Sequence, residues 1–135
     1  MSCILRISGE NFDVDAFILK SQIVPYKTFY KGSPRLKTKP DGEKNKYSGC
    51  AIEVSKAEFN DYEQQVTDAI IYLTDNKDKF QYISSTTEIQ HSVLDFGIGY
   101  DINKFTQTHH VPVELLRIVA DLGISIELSI YQPTD

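Results

Sequence analysis

Four stretches of this chain alternate apolar and polar side chains with a period of two, the repeat of a strand that buries one side and leaves the other wet. In residues 3–8, Cys3, Leu5 and Ile7 share one face and Ile4, Arg6 and Ser8 the other. Residues 47–54 divide Ser48, Cys50, Ile52 and Val54 from Tyr47, Gly49, Ala51 and Glu53. Residues 88–100 set Leu94, Phe96, Ile98 and Tyr100 against Ile89, His91, Val93 and Asp95, and residues 124–131 set Ile124, Ile126, Leu128 and Ile130 against Ser125, Glu127, Ser129 and Tyr131. Strands of this kind need cover on one side only, which points to a largely antiparallel sheet with helices on one face.

The stretches between them supply the helices. Asp13 stands where a cap would, ahead of Val14, Phe17 and Ile18 at helical spacing. A long helical region is expected from Ser55, with Tyr62, Val66, Ala69, Ile70 and Leu73 as its apolar stripe and a break at Asp75-Asn76 before a short piece carrying Phe80 and Ile83. Pro112 at a first turn and Gly123 at a stop bracket a third helix that buries Leu115, Leu116, Val119 and Leu122. A short strand from Tyr26 to Gly32 pairs across a turn at Pro40-Asp41-Gly42 with the strand from Tyr47. The expected order is β-α-β-β-α-β-α-β: one α+β domain over residues 1–135, with about five strands and two or three helices. Gly97 and Gly99 suggest a bend or bulge in the fourth strand.

A chain of 135 residues, 41% hydrophobic, can bury an ordinary core without disulfides or metal. Two cysteines make no disulfide framework, and neither a signal peptide nor a membrane-spanning run is visible, so a cytoplasmic protein with no membrane contact is expected. The net charge of −5 hides an asymmetry. Residues 27–46 hold seven of the fourteen basic residues against Asp41 and Glu43, a local +5 on a remainder of −10. The basic loop at 33–46 is expected to be mobile, and nucleic acid is a disfavoured partner because the acidic body repels any backbone running past the loop.

No catalytic signature is present. There is no Gly-x-Ser-x-Gly, phosphate loop or dinucleotide fingerprint, and Gly97-Ile98-Gly99 lacks the third glycine and the helix that such a site needs. Cys50 lies on the inward face of its strand and reads as a packed thiol. His109-His110 has no partners at zinc-like spacing and reads as a solvated loop, so neither metal nor cofactor is expected. His91 and Asp95 share a strand face but stand roughly 13 Å apart along it. Two sets of residues merit a functional reading. Arg6, Glu53, His91, Asp95, Glu127 and Tyr131 share the polar side of the sheet and would form a ligand site if they converged. Lys31, Arg35, Lys37 and Lys39 in the basic loop, with Glu58, Asp61 and Asp68 on the acidic second helix, are candidates for binding a partner.

Ile7-Ser8-Gly9 followed by Asp13, then Pro25, Lys31-Gly32, Tyr47-Ser48-Gly49, Leu115-Leu116 and Leu122-Gly123-Ile124 with Glu127, resemble in that order the bacterial family called domain of unknown function 4279. Members often carry Trp before the Lys-Gly pair and after the Ser-Gly pair; here Thr28-Phe29-Tyr30 and Cys50 fill those places, and the chain has no Trp. The resemblance implies no reaction. It implies an interaction domain, with an immunity-like protein that neutralises a toxin as one form, and the partner expected is another protein. A ligand-binding or enzymatic use of the polar sheet face is the alternative, and nucleic-acid contact through the basic loop the third.

Overall fold

The computed structural model describes residues 1–133. Its elements run β1 (Cys3–Gly9), α1 (Val14–Ser21), β2 (Lys27–Phe29), β3 (Ser48–Ser55), α2 (Tyr62–Asp75), the single turns α3 (Lys77–Phe80) and α4 (Tyr82–Ser85), β4 (His91–Gly99), α5 (Val113–Leu122) and β5 (Ser125–Tyr131). The strands form one open sheet in the order β2-β3-β1-β4-β5. Three pairings are antiparallel, and β4–β5 is parallel. That exception follows from α5, because a helical crossover returns the chain to the end of the sheet where the preceding strand began.

In β1, β3 and β4 the apolar half of the alternation lands where the period predicts, whereas in β5 Leu128 and Ile130 stay exposed. Cys3, Leu5, Ile7, Cys50, Ile52, Leu94, Phe96 and Ile98 are buried in one cluster with Phe17, Val66, Leu73, Leu115 and Leu122 of the helices. Helix boundaries follow local chemistry. The Asp13 carboxylate accepts from the Ala16 amide at 3.1 Å, Asp61 accepts from the Gln64 amide at 3.2 Å, and Gly123, with φ of 74°, closes α5 in the left-handed conformation that glycine tolerates.

Two expectations are corrected. Ser55 does not begin a helix; it ends β3, its hydroxyl donates to Asp68 at 2.6 Å, and the helix waits for its cap at Asp61. Gly97 makes no bulge, since β4 keeps an unbroken register with both neighbours. It is needed for a close approach: the Phe59 ring lies across it, and a Cβ there would stand 2.6 Å from a ring carbon. Gln65 lies outside the apolar stripe that spacing predicts, yet it is fully buried. Its side-chain amide donates to the Glu58 carbonyl at 3.1 Å and the Gly97 carbonyl at 2.9 Å, fastening α2 to β4.

Candidate functional site

Strand alternation puts Arg6, Glu53, His91, Asp95, Glu127 and Tyr131 on the face of the sheet opposite the core, but register decides which of them meet. Ile4 lies opposite both Glu53 and Asp95, and Asp95 lies opposite Glu127, so these four make one row across the sheet. Arg6 reaches Asp95 at 2.8 Å, and the Ser129 hydroxyl donates to the other Asp95 oxygen at 2.6 Å. Asp95 is thereby buried with both oxygens engaged, and it clamps β1, β4 and β5 together. Glu53 turns to Lys56 at 3.6 Å. His91 packs edge-on against Tyr47 with ring centroids 5.2 Å apart, and Tyr131 packs edge-on against Phe59 at 5.5 Å. Tyr131 is level with Gly99, eight residues along β4 from His91, which is roughly 26 Å of strand. The six side chains are therefore spread along a sheet face. Arg6 and Asp95 meet, Glu127 stands beside Asp95, and the other three point to separate neighbours.

The nucleophile candidates are inert. Both cysteines are free and buried; desolvation pushes the Cys50 thiol up to about 12, and burial, with Asp95 and Asp68 nearby, raises Cys3 as well. His109 differs from the solvated residue its loop suggested. It is half-buried, 2.9 Å from the Gln107 side-chain amide and edge-on to Tyr62 at 5.1 Å, whereas His110 is exposed. Asp61, Glu63, Lys104, His109 and His110 border a cleft of about 590 Å³ between the start of α2 and the loop before α5. Among the described residues, no three His, Cys, Asp or Glu side chains gather as metal ligands.

The charged partner candidates separate into engaged and free. On α2 and its approach, Asp61 is the helix cap, and Asp68 accepts from Ser55 and from Gln64 at 2.8 Å, while Glu58 is exposed. In the basic segment the chain folds into a two-stranded arm. The Gly32 amide donates to Asn45 at 2.9 Å, the Arg35 amide to Glu43 at 2.8 Å, and Pro34 and Lys44 form a bridge. Tyr30 ties the arm's base to α1 through a 2.8 Å hydrogen bond to Asp15. Lys31 pairs with Glu10 at 3.4 Å and Arg35 with Glu43 at 3.3 Å. Among the described residues, Lys27, Lys37, Lys39 and Lys46 have no carboxylate within ion-pair distance. Where the arm leaves β2 a groove of about 790 Å³ opens, bordered by Lys27, Phe29, Tyr30, Arg35, Leu36 and Lys37. The sequence shows Lys27, Phe29 and Tyr30 interleaved with the arm's cations but does not point to Leu36 or to a groove, because the groove exists only once the arm folds beside the edge strand.

The family model described as Domain of unknown function (DUF4279) matches residues 1–133 of the chain. No curated protein and no solved structure matches it. No helix among the described residues is long and apolar enough to cross a membrane.

Proposed function

We infer that this chain, which belongs to the DUF4279 family of domains of unknown function, works by binding another protein, and that the basic arm is where the partner docks. The observation that carries the reading is the groove at the arm's base, where Lys27 and Lys37, with no acidic partner among the described residues, flank the half-exposed Tyr30 and Leu36. An apolar floor with unneutralised cations at its rim fits an acidic protein segment that brings one or two apolar side chains. A long polyanion fits less well, since the −10 body beyond the arm repels a backbone that the arm attracts. An immunity-like role, in which the partner is a toxin, is the narrower form of this proposal. The acidic helix contributes less to it, because Asp61 and Asp68 already hold the fold together.

The test is affinity capture from lysate of the native organism at two ionic strengths. The wild-type chain is compared with a variant carrying Lys27, Lys37, Lys39 and Lys46 changed to Gln, and binding is then repeated with the purified captured protein. We expect a protein that binds the wild type, weakens with salt and is lost in the variant. Equal capture by both chains, or a single-stranded oligonucleotide that binds the arm more tightly than any protein does, would sink the reading.

A further inference from the structure

The edge of the sheet away from the arm has a different character. β5 is a seven-residue edge strand with no Pro, no Lys and no bulge, and Glu127 is its single charge, so it has few of the common devices that stop an edge from pairing. Its alternation is that of a core strand, yet only Ile126 packs against the core: Leu128 is 42% exposed and Ile130 is 52% exposed. The backbone can be read in the same way. The Tyr131 carbonyl accepts from the Tyr100 amide at 2.8 Å, so the peptide groups of Tyr131, and with them those of Ser125, Glu127 and Ser129, face β4. The N–H and C=O groups of Ile126, Leu128 and Ile130 therefore point away from the sheet, and among the described residues nothing hydrogen-bonds to them.

We propose that β5 pairs antiparallel with β5 of a second copy of this chain, about a two-fold axis through Leu128, joining two five-stranded sheets into one. The sequence is self-complementary about that residue. The axis sets Leu128 opposite its own copy and Ile126 opposite Ile130, which keeps the exposed apolar side chains on one face and uses every outward peptide group of the three residues. On the other face, Glu127, the only charged side chain of β5, falls opposite Ser129, so no like charges are directly opposed. A shift of one residue would set apolar side chains opposite polar ones, and moving the axis to Glu127 would set that carboxylate against its own copy, so both registers are disfavoured. A different protein's strand would have to reproduce this pattern; a second copy carries it already.

The test is the molar mass of the full chain by sedimentation equilibrium from low to high micromolar concentration, together with two cysteine variants. We expect twice the 15.4 kDa chain mass at high concentration, and a return to the single-chain mass for Leu128→Lys with an unchanged circular dichroism spectrum. Leu128→Cys is expected to oxidise to a covalent dimer, because the axis sets that residue against itself, whereas Glu127→Cys, offset from its copy, is not. Cys3 and Cys50 are buried and stay out of this reaction. A wild-type chain that remains at 15.4 kDa throughout overturns the proposal and leaves the edge to another protein's strand. A dimer that survives Leu128→Lys, or equal cross-linking by both cysteine variants, overturns it too.

Discussion

The two edges of this sheet are built on opposite plans. β2 has three residues, follows Pro25, begins with a lysine and runs straight into a cationic arm. β5 has seven residues, a single charge and two half-exposed aliphatic side chains. The first plan discourages strand pairing while holding out charge; the second leaves main-chain groups and apolar surface together. One small domain can in this way offer a charge-selective surface on one side and a self-complementary one on the other. Between them lies the Asp95 clamp, whose Ser129 contact ties β5 to the sheet.

The comparison breaks first at β5. Leu128→Lys is expected to abolish the doubled mass, since the lysine would face its own copy across the axis. Next in size is Asp95→Ala, which leaves Arg6 and Ser129 without their common acceptor. We expect a loss of about 2 kcal/mol in urea unfolding, below the usual cost of breaking a buried pair because Arg6 remains half in water. Ser129→Ala should lose about 1 kcal/mol and leave β2 and the arm undisturbed. If Asp95→Ala proves neutral, the clamp is not what fixes β5. At the other edge, Lys37→Gln with Lys39→Gln should weaken partner binding roughly tenfold at low salt and much less at high salt, with unfolding unchanged. A salt-independent loss would mean that the arm acts by shape.

The last effect is set by pH and vanishes at neutral pH. Cys50 titrates near 9.0 when unfolded and is pushed up to about 12 by burial in the fold, so only the unfolded chain gains by losing the proton above pH 9.0. Stability is full below that pH and falls as pH rises toward 12. Cys50→Ala should flatten part of that slope in unfolding curves measured between the two values.

How much of this was legible in the sequence depends on what periodicity encodes. A period of two fixes which side of a strand a residue takes, and it put Arg6 and Asp95 on the polar face correctly. It does not name the neighbour across the ladder. It does not reveal Ser129 as the partner of Asp95, and it sets His91 and Tyr131 on one face although they lie far apart along it. Nor does periodicity separate an edge strand from a central one. Ile126, Leu128 and Ile130 read like Leu94, Phe96 and Ile98, but β4 has neighbours on both sides and β5 has one. The arm's turn was visible in Pro40-Asp41-Gly42 and its charge in the composition. Which lysines stay unpaired depends on where Glu10 and Glu43 stand after folding.

The claim that the two edges serve separate associations is tested most directly by sedimentation equilibrium on two variants side by side at physiological ionic strength. The chain with Lys27, Lys37, Lys39 and Lys46 changed to Gln should keep twice the 15.4 kDa mass, while Leu128→Lys should sediment as a single chain. A monomeric lysine variant, or a dimeric Leu128→Lys, would contradict the account.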